Sequence, residues 1–332
     1  MARRSRFRRS PPFIYKALVA GGLALLIWAG WEAFLPAPAP YRYELVGEGG
    51  LEDFPDLGLQ GPDDLAVKRF ELRAESVTSP LALVHVGMPA DGAAPVLLEW
   101  RNMTAQPILA LGVRTPDLND LVAAVDTNIA PEALVLAWWD TSRQLEVLSG
   151  RTVLFDENLA MPLLVPDAWA SRIDSIVALE EQFWAVSRAD APLFDRFLDA
   201  LVADPRTGAA RLRALADGSP AFVVVHLSDA YRLGYLRPKR FAVGYRNFAG
   251  GGDVHTEVRV VKEWLAENGY TSYAVERLSL LEIRVHFLAD VASENTLLAA
   301  LLPFTSSNAM TLEDLGLVAN YGGYWVYELS GQ

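Results

Sequence analysis

Residues 131–156 read PEALVLAWWDTSRQLEVLSGRTVLFD, and the pattern of this stretch decides the fold class. Leu134 to Ala137 are continuously apolar, which is typical of a short strand buried on both faces. Thr141 to Ser149 have the spacing of a short helix, and Val153 to Phe155 begin a further apolar strand. The order strand, helix, strand predicts a βαβ unit in a Rossmann-like α/β domain with a parallel sheet.

The residues between the first strand and the helix form a candidate site. Asp140 occupies the position of a helix N-cap, where a carboxylate accepts from free N–H groups, and Gly150 occupies the left-handed position after the helix. Ligands of open parallel sheets bind at the carboxyl ends of the strands, where Trp138 and Trp139 also lie. Two interpretations follow: Asp140 is only a helix cap beside packed tryptophans, or these residues line a site.

A second apolar strand, Ala221 to Val225, is followed by His226 and Asp229. If both strands lie in one sheet, Asp140, Arg143, His226 and Asp229 form a candidate strand-end site. A histidine beside a carboxylate and a hydroxyl has the groups needed for general-base chemistry. No G-x-S-x-G motif accompanies them, so the sequence assigns no catalytic residue.

The 332-residue chain contains no cysteine and four histidines. The lack of cysteine excludes disulfides, thiolate metal sites, a cysteine nucleophile and covalently attached c-type haem. The histidines are not closely paired in the sequence, so neither a metal site nor a cofactor is predicted. A hydrophobic content of 52% is that of a globular protein with a large core.

The amino-terminal region has the pattern of a membrane anchor. The first 16 residues carry six basic and no acidic side chains, and residues 17–31 are apolar and uncharged. A helix over residues 13–35 is long enough to cross a bilayer. Because the basic residues precede it, we predict a single-pass inner-membrane protein with a cytoplasmic N-terminus and a periplasmic body. A cleaved signal peptide is the alternative, although Pro40 directly follows the A-x-A sequence of residues 37–39.

Charge and composition divide the chain further. The formal net charge is −12, and the 316 residues after the basic start hold −18, a charge that should repel nucleic acid. Pro36 to Pro40 form a stiff spacer. The predicted units are a cytoplasmic tail (1–12), a transmembrane anchor (13–35), a spacer and irregular lead-in (36–66), an α/β domain (67–230) and a smaller α+β C-terminal unit (231–332).

Two groups of residues are candidates for binding a partner. Arg237, Lys239 and Arg240 lie in a basic connection that is either an anion-facing patch or a solvated loop. Tyr321, Tyr324 and Trp325 lie in a predicted closing hairpin, where one face belongs to the core and the other is a contact surface or a packed edge.

Several segments carry a resemblance to a known family: Ala137–Arg143 (AWWDTSR) with Leu148–Arg151, Glu263–Tyr270 (EWLAENGY), Leu301–Asn308 (LLPFTSSN) and Gly322–Glu328 (GGYWVYE). They resemble the HaoB family, accessory proteins of hydroxylamine oxidation in nitrifying and methane-oxidising bacteria. The resemblance implies a gene beside that of octahaem hydroxylamine oxidoreductase, with that enzyme or associated cytochromes as partners. It transfers no catalytic residue.

The sequence therefore leads to one hypothesis and one alternative. The hypothesis is a membrane-anchored periplasmic accessory protein that binds or organises a partner and has no chemistry of its own. The alternative is a periplasmic enzyme or small-ligand-binding protein whose site lies at the strand ends near Asp140 and His226.

Overall fold

The computed structural model describes residues 17, 19–23, 25, 37–74, 77–104, 114–251, 253–304, 312 and 315–330. It is a mixed α/β protein with three sheets in this part of the chain, which confirms the α/β class. Most of the predicted anchor, residues 13–35, lies outside the described residues. Among the residues that the structure does describe, no helix is both long enough and apolar enough to span a bilayer.

The first sheet is an antiparallel meander of four consecutive strands. These are β1 (Tyr41–Gly49), β2 (Ala66–Ala74), β3 (Ala82–Met88) and β4 (Val96–Asn102). Its buried face packs against Ile176 and Trp184, which lie in and just after a helix later in the chain. Tyr41 already begins a paired strand, so part of the predicted irregular lead-in (36–66) belongs to this sheet.

The central sheet has the strand order β10-β11-β6-β5. Its members are β5 (Leu134–Leu136), β6 (Ala221–His226), β10 (Leu315–Tyr321) and β11 (Tyr324–Leu329). Only β5 and β6 pair in parallel, extended by a parallel bridge between Val135 and Val153. The other pairs are antiparallel, so the predicted Rossmann-like parallel sheet is wrong beyond this unit. The physical reason is that the C-terminal hairpin pairs its strand β11 with β6 and occupies that edge.

Helices cover both faces of the central sheet. The α-helices of the described residues are α1 (Thr115–Asn128), α2 (Trp139–Ser149), α3 (Ile173–Phe183), α4 (Ala191–Leu201), α5 (Pro205–Ala216), α6 (Leu227–Leu236), α7 (Val254–Glu267), α8 (Val291–Glu294) and α9 (Leu297–Leu301). Of these, α3 packs on the first sheet and α7 on the third. The alternation of β6 divides the core: Val223 and Val225 join the cluster of α4, α5 and α9. Phe222 and Val224 join the opposite cluster, with α1 and α2. The continuously apolar sequence of β6 is thus explained by burial on both faces.

A third, antiparallel sheet has the order β7-β9-β8 and lies in the C-terminal part of the chain. Its strands are β7 (Val243–Ala249), β8 (Tyr273–Arg277) and β9 (Glu282–Leu288). Ile283, Val285 and Phe287 of β9 pack on Val261 and Leu265 of α7, as the alternating sequence predicts.

A buried carboxyl group joins the first sheet to α3. Tyr41 and Tyr43 of β1 both donate hydroxyl hydrogen bonds to Glu180, the shortest at 2.6 Å, and the Trp184 indole donates at 2.9 Å. Burial raises the pKa of Glu180 to about 7, although these three hydrogen bonds lower it. The strand that follows the predicted anchor is therefore attached to the body through a group that titrates near neutral pH.

Replacing Glu180 by glutamine is expected to remove part of the pH dependence of stability. Because its pKa is raised in the folded protein, the fold retains a proton that the unfolded chain loses above its usual pKa of 4.5. This stabilisation is complete below that value and is lost as the pH rises through about 7. Between about pH 4 and about pH 8, the free energy of unfolding of the parent should fall by about 2–3 kcal/mol more than that of Glu180→Gln. Urea denaturation measures both; parallel declines would contradict the prediction.

Candidate functional site

Two helices begin where the parallel strands β5 and β6 end. Helix α2 starts at Trp139, so Asp140 is its second residue, and helix α6 starts directly after His226. His226 caps α6: its Nδ1 accepts from the Ser228 amide at 3.1 Å, and Asp229 accepts from the His226 amide at 2.8 Å. The parallel pairing places these polar residues at one edge of the sheet, as the sequence predicts.

Arg232 of α6 joins the two helices. Its guanidinium contacts both carboxylate oxygens of Asp140, at 2.9 and 2.6 Å, and lies 3.5 Å from a carboxylate oxygen of Asp229. All three residues are at least nine-tenths buried. The Arg232 guanidinium also lies 5.8 Å from the centre of the Trp138 ring. We call Asp140, Asp229 and Arg232 the buried charge cluster.

The predicted N-cap role of Asp140 is wrong. The N-cap of α2 is Trp138, which makes no side-chain capping hydrogen bond, while the left-handed Gly150 ends the helix as predicted. Asp140 lies two residues after the N-cap, within the first turn, where its carboxylate accepts from the Thr141 amide at 2.8 Å and pairs with Arg232. The sequence does not predict Arg232 as a site residue, because the chain from residue 231 onward has the composition of a basic connection. The available signal was the three-residue spacing between Asp229 and Arg232, which places both on one helix face.

Burial sets the protonation of the groups around this cluster. It raises the pKa of Asp229 to about 7, against the opposing effect of Arg232. It lowers the pKa of His226 to about 3, and Arg232 lowers it further by repulsion. Although burial disfavours a charged guanidinium, the two aspartates raise the pKa of Arg232. At neutral pH Arg232 is therefore charged, the neighbouring His226 is neutral, and Asp229 is close to its pKa.

A small cavity of about 90 Å³ opens beside the buried charge cluster. Asp140 and Arg232 contribute its polar wall. The remaining lining consists of Trp138, Trp139, residues 160–164, Tyr235 and Leu236. Such a cavity has room for a few waters or one very small ligand. The Ser228 hydroxyl lies 2.8 Å from His226 Nδ1, but neither residue lines this cavity.

Arg143 does not join the site. Its guanidinium pairs with Glu146 and donates to the Ala94 carbonyl at 2.9 Å, on the side of α2 that faces the first sheet. The strand-end group predicted from the sequence therefore divides: Asp140 and Asp229 meet through Arg232, His226 lies beside them, and Arg143 lies elsewhere.

The candidate partner residues also divide. Arg237 pairs with Asp195 at 2.6 Å, and Arg240 lies 3.3 Å from Asp199. Both aspartates belong to α4, which therefore partly neutralises the basic connection. Lys239 is exposed. In the hairpin, Tyr321 is exposed and Trp325 is half-buried. Tyr324 is buried, with its ring 4.6 Å from that of His226, so it is not part of a surface.

The structure also contains a hydrogen-bonded chain of Tyr231, His286 and Glu276, which the sequence does not predict. The Tyr231 hydroxyl lies 2.5 Å from His286 Nδ1, and His286 Nε2 lies 3.0 Å from Glu276. His286 is 3% exposed, although the alternation of β9 places it on the face opposite Ile283, Val285 and Phe287. His286 lies on the face of the sheet opposite α7, and Tyr231 of α6 covers it on that face. Within the described residues, no three His, Asp or Glu side chains are grouped as metal ligands.

Residues 9–329 of the chain match a protein family described as HaoA-associated protein HaoB. The chain belongs to the HaoB family. This match spans nearly the whole sequence and confirms the resemblance carried by the short segments. The family is named for its association with HaoA, hydroxylamine oxidoreductase. The protein is therefore an accessory of the hydroxylamine oxidoreductase system. No match was found among curated proteins.

Proposed function

We propose that this HaoB-family protein is a periplasmic accessory, tethered to the inner membrane by one helix, that binds hydroxylamine oxidoreductase and holds it near the membrane. The observation that carries the proposal is the family match over residues 9–329, which links the whole chain to HaoA. The basic start and apolar run of the sequence support the tether and its orientation.

The contacts of the spacer support a fixed position of the body relative to such a tether. The carbonyl of Ala37 accepts from the Ser175 hydroxyl at 2.5 Å, and that of Pro38 accepts from Arg172 at 3.5 Å. The next residues enter β1, whose tyrosines bind Glu180. The chain after the predicted anchor is thus attached to the body from residue 37 onward.

Co-purification tests the proposal. The full-length chain with a C-terminal affinity tag is co-expressed with HaoA and extracted from membranes with a mild detergent. We expect HaoA to elute with the tagged chain, and to remain unbound when an unrelated single-pass protein carries the tag. Recovery of the tagged chain always without HaoA would contradict binding. Recovery of the tagged chain from the soluble periplasmic fraction would contradict tethering.

The cavity beside Asp140 supports a second candidate function, the binding of a small molecule between Trp138 and Arg232. In this case Asp140→Asn should abolish ligand-induced quenching of tryptophan fluorescence while the fold remains. If the substitution lowers stability and no small molecule changes the fluorescence of the parent protein, the charge cluster is structural.

A further inference from the structure

The turn between β8 and β9 exposes large apolar side chains. Leu280 is 83% exposed and Leu281 is 73% exposed, and Leu278 and Val275 beside them are 36% and 55% exposed. Single exposed leucines are ordinary, but adjacent ones at such exposure are characteristic of interaction surfaces. We call residues 278–281 the leucine turn.

Backbone hydrogen bonds hold the leucine turn in place. The Gly250 amide donates to the Leu281 carbonyl at 2.7 Å, and the Leu278 amide donates to the Glu282 carbonyl at 3.0 Å. The Leu281 amide donates to the Ser279 hydroxyl at 3.1 Å. Gly251, with φ of 89°, lies so close that a Cβ there would be 2.9 Å from the Leu281 side chain. The leucines are therefore presented on an ordered scaffold, which lowers the entropy lost on binding.

The surroundings of the leucine turn are nearly neutral in an acidic protein. Residues 243–288 contain five basic and six acidic side chains, a formal charge of −1, whereas the whole chain has −12. The turn itself carries no charge. The centres of protein interfaces are depleted of charged residues and enriched in apolar ones, and this region fits that description.

We propose that the leucine turn is the docking surface for hydroxylamine oxidoreductase, with Leu280 and Leu281 at the centre of the interface. This inference rests on the proposed function. A protein is favoured over a lipid surface because the flanking arginines are engaged within the protein. Arg277 contacts Glu257 at 3.0 Å, and Arg284 donates to Asn247 at 2.9 Å. Attraction to anionic lipid requires a surplus of basic side chains, which this region lacks.

The test uses the full-length chain in detergent and purified HaoA, with the dissociation constant measured by surface plasmon resonance. The double variant Leu280→Glu/Leu281→Glu should weaken binding about a hundredfold, because it places two charges in the centre of the interface. Leu280→Met/Leu281→Met keeps the apolar surface and should change binding less than threefold. The matched control is Val46→Glu/Leu317→Glu, which changes two exposed aliphatic residues of the other sheets and should also leave binding within threefold.

The outcomes distinguish the two proposals. If the parent chain does not bind HaoA, the proposed function fails and the docking surface with it. If the parent binds and the Leu280→Glu/Leu281→Glu variant binds equally well, only the docking surface is wrong. A photoreactive amino acid at position 280 identifies the neighbour directly. A crosslink to HaoA supports the proposal, whereas crosslinks confined to lipid or to a second copy overturn it.

Discussion

Replacing Arg232 by methionine is expected to lower the free energy of unfolding by about 3–5 kcal/mol. Arg232 is the cation of the buried charge cluster, in contact with Asp140 and 3.5 Å from Asp229. Methionine occupies most of the volume but leaves two buried aspartates without a cation, and the cost of an unpaired buried charge exceeds that of the lost packing. Urea unfolding of the full-length chain in detergent, followed by tryptophan fluorescence, measures the change.

Arg143→Met is the matched control. Arg143 is equally buried, but its partner Glu146 has a side chain that is 35% exposed, so water solvates the carboxylate after the substitution. The loss should be about 1–2 kcal/mol, mainly from the hydrogen bond to Ala94. If Asp140→Leu is combined with Arg232→Met, the double variant should be more stable than the sum of the single losses indicates. Equal losses for Arg232→Met and Arg143→Met would contradict the role of the cluster.

The local elements near the centre of the chain were predictable from the sequence. The apolar run at Leu134 and the positive φ of Gly150, at 63°, correspond to a buried strand and a helix end because both are determined by neighbouring residues. The convergence of Asp140 and Asp229 also followed, since parallel strands bring their carboxyl ends together. These predictions needed no knowledge of distant pairings.

The long-range pairings were not predictable in the same way. That β11 lies beside β6 depends on contacts between segments about a hundred residues apart, and nothing in either strand specifies its neighbour. The same limit hid the role of Arg232: its spacing from Asp229 indicates a shared helix face, but its contact with Asp140 depends on how two helices meet. For His286, alternation gave the correct face, yet it could not show that Tyr231 covers that face.

The placement of the buried charge cluster favours a structural role. Arg232 connects α6 to α2 at the ends of the one parallel pair among the described strands, and the neighbouring hairpin packs Tyr324 against His226. The cluster thus fixes the relation between α2 and α6, the helices that follow the two parallel strands. The leucine turn lies in a different sheet, so variants there should not disturb this centre.

Replacing Gly322 by alanine is expected to lower the free energy of unfolding by about 3 kcal/mol. Gly322 and Gly323 form the two-residue turn between β10 and β11, with φ of 56° and 81°. Both values lie in the left-handed region that the favoured hairpin turn requires. A Cβ on Gly322 would also lie 2.5 Å from Cβ of Asp117, in the first turn of α1. The expected loss therefore combines backbone strain with a clash against a helix that is part of the core.

Gly58→Ala isolates the steric part of this loss. Gly58 has a similar φ of 60°, but no atom lies within 4 Å of the position that its Cβ would occupy. Its substitution should cost only the backbone strain, about 1–2 kcal/mol. The difference between the two variants, measured by urea unfolding, reports the contact between the hairpin and α1. Because this hairpin supplies β11 to the central sheet, equal losses would mean that the turn can move away from Asp117 without loosening the sheet.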